Sequence, residues 1–348
     1  MKKKVFWLAA MAVTVSMASC SLEEVVEQPT PQAIGFSSFV GKPTKAATEI
    51  AAPGQTNGLT TFYVYGAYIS GAGTDYDINV FNGNTVTVTN INTPSTPDGE
   101  TKYWVANKQY KFVAYSNGNS THNNVSFNGD DKGHITITDY EAGTSDLILA
   151  EKDVTTTDIS GTSPGAVELE FKHLLSQVAF EFKNGFTNGY QVKITGLKFN
   201  VPNKATYSYQ GTDYAWGTPA TPVDKSYTEN IDDVFANGTK LSEYNFVIPQ
   251  DNSSIKASFT VTVYDTDGST VVATKNYTSD KAVSLATGTT TNPAEGSNVW
   301  TPGYKYKYTA TIDATILSDV LFPIQFKVTS VEGWKVPTGG NTDLTLNN

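Results

Sequence analysis

An all-β protein is predicted by three features of this 348-residue sequence. Threonine (48), tyrosine (19) and phenylalanine (17) are abundant and methionine (3) is scarce, a mix that suits pleated, half-buried surfaces. From Ile34 onward, short alternating runs are separated by clusters of Gly, Asn, Asp and Pro, the pattern of sandwiches and barrels. No segment carries the apolar periodicity of a helix of three turns. With 39% hydrophobic residues the chain has enough apolar surface for two domains of ordinary size.

The first element is an address rather than a fold. Lys2, Lys3 and Lys4 precede a mostly apolar run from Val5 to Val15, and small residues lead into Cys20. This is the layout of a secretory signal. The run falls short of the roughly 20 residues that span a bilayer. Cys20 is the only cysteine, which excludes an internal disulfide and a four-cysteine zinc site. Its setting resembles the lipobox of bacterial lipoproteins, in which the cysteine becomes the acylated first residue. Several acyl chains give a durable tether where one would be marginal. Ser21-Leu22-Glu23-Glu24 then resembles the acidic tract that directs lipoproteins of Bacteroidetes to the outer face of the outer membrane. Residues 20–32, acidic and broken by Pro29 and Pro31, read as a flexible tether.

Strands follow. Early ones are expected at Phe62–Tyr68, Thr85–Thr89, Tyr110–Tyr115 and His134–Thr138. Later ones are expected at Val167–Phe171, Ser176–Phe182, Gln191–Phe199, Tyr244–Ile248, Ile255–Tyr264, Val271–Tyr277, Tyr304–Ile312 and Pro323–Val328. The Thr-, Ser- and Gly-rich stretch from Val154 to Gly165 divides these groups, so the expected units are 33–165 and 166–348.

Charge and motifs narrow the function. The formal charge is −10, and all 24 basic residues are lysine. An acidic chain without arginine is poorly suited to nucleic acid, whose recognition draws on bidentate arginine contacts and a basic surface. His122, His134 and His173 lack metal-ligand spacing, and no Gly-x-Ser-x-Gly turn is present. Asp265-Thr266-Asp267-Gly268 starts like a calcium loop, but Thr270 and Asn276 stand where a glycine and a glutamate are needed, so it reads as a hairpin turn. Asn128 to Gly133 reads the same way. No catalytic pair of carboxylates can be named, and neither enzymatic activity nor a cofactor is expected. Tyr207, Tyr209, Tyr214 and Trp216 form an aromatic group that could stack on a sugar or a protein, or could equally lie on a strand face and under a loop.

Several patterns coincide in order with one family. They are Ile34-Gly35-Phe36, Lys45-Ala46-Ala47-Thr48, Tyr103-Trp104 with Tyr110 to Tyr115, Asp146 to Ala150, and Phe171 to Val178. Val247-Ile248-Pro249-Gln250, Trp300 to Tyr306 and Gly333-Trp334 complete the series. The chain resembles the fimbrillin-like proteins of Bacteroidetes, which build or decorate type V pili. The resemblance implies two transthyretin-like (Greek-key) β-sandwich domains in tandem and assembly by strand exchange, in which a surface protease removes the first strand and another subunit's C-terminal segment fills the groove. Ile34, Phe36 and Val40 fall on one face of that strand, so its loss would uncover an apolar slot and unpaired backbone groups. The oral pilins are cut after arginine, so Lys45-Ala46 is the best substitute here. Beyond Trp334 the apolar residues are Val336, Leu344 and Leu346, a meagre donor strand that would suit a tip subunit as well as a shaft one. Expected partners are other fimbrial subunits, the outer membrane through the lipid, and a host or bacterial surface ligand. The alternative is an uncut, lipid-anchored adhesin that uses the Tyr207 to Trp216 region.

Overall fold

The computed structural model describes residues 33–40, 58–89, 93–130, 132–157, 164–227, 233–278, 282–285, 299–318, 324 and 327–333. Its regular structure is almost all β, as the composition and alternation predict. Six strands form the first sheet: β1 (Phe36–Val40), β2 (Thr61–Tyr68), β3 (Ile78–Thr87), β4 (Gln109–Asn117), β7 (Leu147–Thr155) and β8 (Val167–His173), in the spatial order β1-β8-β7-β4-β2-β3. The second sheet runs β16 (Val271–Tyr277), β15 (Lys256–Tyr264), β10 (Gln191–Tyr209), β6 (His134–Glu141) and β5 (Val125–Asn128). On it, β11 (Tyr214–Trp216) and β12 (Ala220–Ser226) pair with β10, and β17 (Val283–Ser284) pairs with β15. The third holds β13 (Thr239–Leu241), β9 (Ser176–Asn184), β18 (Tyr304–Ile312) and β19 (Lys327–Gly333), with β14 (Asn245–Val247) also on β9.

The side-chain pattern of each strand matches the number of faces it buries. β8 alternates strictly: Val167, Leu169 and Phe171 face the core, and Glu168, Glu170 and Lys172 face water. β4 is apolar on both sides because both sides are covered. Tyr110, Phe112 and Ala114 enter one core with Phe36, Phe62 and Phe171, whereas Val113 and Tyr115 enter a second with Leu149, Ile137 and Tyr207. A third core lies between β9 and β18 on one side and β10 and β15 on the other. Trp300 is fully buried there, its Nε1 donating to Tyr308 Oη at 3.0 Å.

The first sheet curls until its edges meet. Phe36 on β1 and Phe81 on β3 stand at opposite ends of the strand order, yet their rings are 5.7 Å apart. A segment running from Pro94 to Tyr103 closes the gap. Ser95 bridges to Phe36, Pro97 to Val86 and Tyr103 to Ala33.

One connection and one long strand set the organisation. The stretch Val154 to Gly165 joins β7 to β8, which are antiparallel neighbours through Ile148↔His173 and Leu149↔Lys172, so it is a connection within one sheet. From β8 the chain passes through Leu174 and Leu175, both buried, to β9 in the third sheet. Richness in Thr, Gly and Pro marks a loop without saying what the loop joins. β10 continues ten residues beyond the expected Phe199. Its first part pairs with β15 and its last part with β6, so one strand of 19 residues, roughly 60 Å at 3.3 Å per residue, serves two cores. The two turns read as hairpins are hairpins: Asp265 and Gly268 link β15 to β16, with Asp267 Oδ1 accepting from the amides of Ser269 and Thr270, and residues 129–133 link β5 to β6.

Two polar contacts pin the crossover. At the end of β8, His173 Nδ1 lies 2.7 Å from Asp146 Oδ2, with both side chains buried. On β12, Lys225 Nζ donates to the carbonyl of Ala142. Burial pushes the Lys225 amine down to about 8, against a smaller opposing pull from Glu141. Its folded-state pKa therefore lies below the ordinary 10.5, and the unfolded chain binds the extra proton between those values. Stability is accordingly expected to rise from about pH 8 to pH 10, above which ionising tyrosines oppose it. Urea midpoints measured across that window should climb for the native chain and stay flat for Lys225→Met.

Candidate functional site: the groove of the first strand

β1 is gripped on both sides. On one side it runs parallel to β8, with Phe36↔Val167 through Val40↔Phe171 in register, and Val167 N donates to Gly35 O at 2.8 Å. On the other, Ile34 N donates to Lys102 O, and Phe36 and Ser95 exchange both backbone bonds, each at 2.8 Å. The segment is thus paired with the 94–103 stretch over residues 33–36 and with β8 from Gly35 onward, so the two pairings overlap at Gly35 and Phe36.

Its side chains complete the core. Ile34 and Phe36 are 2% and 1% exposed. The Phe36 ring meets Phe112 at 5.5 Å, Phe81 at 5.7 Å and Phe62 at 6.3 Å, each edge to face, the arrangement aromatic quadrupoles favour. Trp104, also buried, closes over Phe112 at 5.8 Å. Burial of Ile34 and Phe36 contributes roughly 3–6 kcal/mol before ordering costs. Taking β1 away would open a slot lined with phenylalanine and leave two rows of backbone groups unpaired. Val40 pairs with Phe171 through the backbone, and its side chain lies outside the described residues, as do Cys20, Lys45, Ala46, Leu344 and Leu346.

The aromatic group is gathered, but mainly around itself. Tyr207 is 7% exposed and stacks on Tyr214 at 5.5 Å. Tyr209 stacks on His134 at 3.5 Å, and Trp216 meets Tyr207 at 4.9 Å and Tyr140 at 5.7 Å. Trp216 Nε1 donates to Leu174 O at 2.8 Å, and Tyr214 Oη accepts from Ile135 N at 2.9 Å. Burial pushes the phenols of Tyr207 and Tyr214 well above the usual tyrosine range. These rings seal the seam between β6, β10 and the crossover. Tyr209, Tyr214 and Trp216 remain half-buried.

Sequence reasoning missed the other wall of the groove. Pro94, Ser95 and Lys102 lie in a polar, Pro-punctuated stretch with no alternation, and only the pairing of this stretch with residues 33–36 reveals what they hold.

Residues 44–330 match a family model described as fimbrillin-like. Among solved structures, a fimbrial protein from Bacteroides vulgatus is 19% identical, with 87% of this chain and 99% of that one covered at a TM-score of 0.54. A candidate cell adhesion protein from Parabacteroides distasonis is 12% identical, with 90% and 99% covered at a TM-score of 0.50. At these identities the likeness is one of fold. No curated protein matches in sequence.

Proposed function

The chain belongs to the fimbrillin-like family, and from that premise we propose that it is exported as a lipoprotein through Cys20 and becomes a shaft or tip subunit of a surface fimbria by exchange of its first strand. The family supports a fimbrial or cell-adhesion role at the cell surface, with other fimbrial subunits as partners and structural rather than enzymatic work.

The observation that carries the finer reading is the seating of β1. It holds backbone bonds on two sides and two core side chains, yet it opens the described residues and precedes Lys45-Ala46 in the sequence. A single cut there would leave it held only by noncovalent contacts. An incoming extended segment could restore the same bonds and refill the same slot.

Two measurements test this. Intact mass of surface-extracted protein should give an N-terminus at Ala46 on assembled material, whereas acylated Cys20 throughout would favour the uncut adhesin. Protein cut at that bond should form ladders that survive heating on a denaturing gel. Monomers alone, with β1 released, would sink the exchange reading.

A further inference from the structure

Three adjacent residues of the first-strand segment are held in different ways. Ile34 and Phe36 face the core, while Gly35 between them faces the opposite side and is buried as well. A Cβ at Gly35 would stand 3.2 Å from Pro94 Cβ and 3.6 Å from the Ser95 carbonyl oxygen. Gly35 is not among the glycines with positive φ, so space rather than backbone conformation is the constraint. Pro94 is poorly placed to yield. Its ring fixes φ, and the next residue, Ser95, is tied to Phe36 by two backbone bonds of 2.8 Å. A methyl group sits at the limit of what fits, and a β-branched residue exceeds it.

We propose, resting on the strand-exchange reading above, that the groove selects its occupant by the order large aliphatic, glycine, phenylalanine. It therefore takes a donor strand from a partner that carries glycine between two large apolar residues, in preference to the end of a second copy of this chain. In that end, Leu344-Thr345-Leu346 supplies the two large residues, but Thr345 brings a branched Cβ under Pro94. Its glycines, Gly339 and Gly340, are flanked by Thr338 and Asn341 and cannot supply the order. Pro94 is the residue that sets this specificity.

The test uses the chain from Cys20 to Asn348 with one site-specific protease sequence inserted between Lys45 and Ala46. After cutting, fluorescent peptides spanning Ala33 to Lys42 compete with the resident β1, and incorporation is read by co-elution. The native peptide should enter, the Gly35→Ala peptide somewhat less, and the Gly35→Val peptide about tenfold less. A peptide from Asn341 to Asn348 should enter better as Thr345→Gly than as the native sequence. On a Pro94→Gly receptor the glycine-over-valine preference should shrink to about twofold or less. Equal entry of the Gly and Val peptides, with Phe36→Ala excluded, would overturn the selection while leaving exchange standing. An unchanged preference on Pro94→Gly would overturn the role of Pro94. Failure of the native peptide to enter at all would overturn exchange, and the proposal with it.

Discussion

Phe36→Ala is expected to destabilise the folded chain by about 3–5 kcal/mol, the range for emptying an aromatic site in a packed core. The ring is 1% exposed and touches three other phenylalanines. These sit on β2, β3 and β4, so their collapse into the vacancy is restrained by backbone bonds on several strands. Urea unfolding should show the shift in midpoint with little change in slope. Ser37→Ala, one residue on and half-buried on the other face, should stay within about 0.5 kcal/mol. A loss below about 1 kcal/mol for Phe36→Ala would mean that β1 adds little to the core, and the case for a groove would fall. The same substitution made in the cut chain should release β1 spontaneously.

The second large effect is expected at the buried pair at the end of β8. His173→Ala removes the imidazole that faces the Asp146 carboxylate at 2.7 Å, where the Asp146 side chain has no solvent exposure. Stripping one partner from a buried pair costs about 3–5 kcal/mol, much of it the desolvation of the group left behind. Asp146→Ala should cost a similar amount. The double variant should cost less than the two singles summed, because no buried polar partner is then left behind. Additive losses would show that the two side chains are stabilised independently.

Much of the fold was legible in the sequence because its cause is local. The strict alternation of Val167, Leu169 and Phe171 with Glu168, Glu170 and Lys172 needs nothing beyond the strand itself to be read. The same holds for the turn at Asp265 to Gly268, where side chains of the turn bond their own backbone. The core residues Ile34 and Phe36 were legible for the same reason. What could not be read depends on contacts distant in sequence. Pro94 matters through a glycine 59 positions before it. Tyr207 and Trp216 read equally as a stacking surface or as packed rings, because nothing near them in the chain shows that Ile135, Tyr140 and Leu174 lie against this aromatic group. β10 runs on past Phe199 through Pro202, with Pro222 directly opposite on β12. Two prolines facing across a strand pair leave no amide donor orphaned between them.

The uninterrupted course of β10 bears on how this molecule would respond to tension. A joint made only of loops and side chains stretches at its weakest contact, and each half then unfolds at its own force. Here a single extended backbone enters both halves, gripped by β15 over residues 191–199 and by β6 over residues 204–208. A pull along its length loads these rows of hydrogen bonds in shear, many at once, instead of unzipping them one after another.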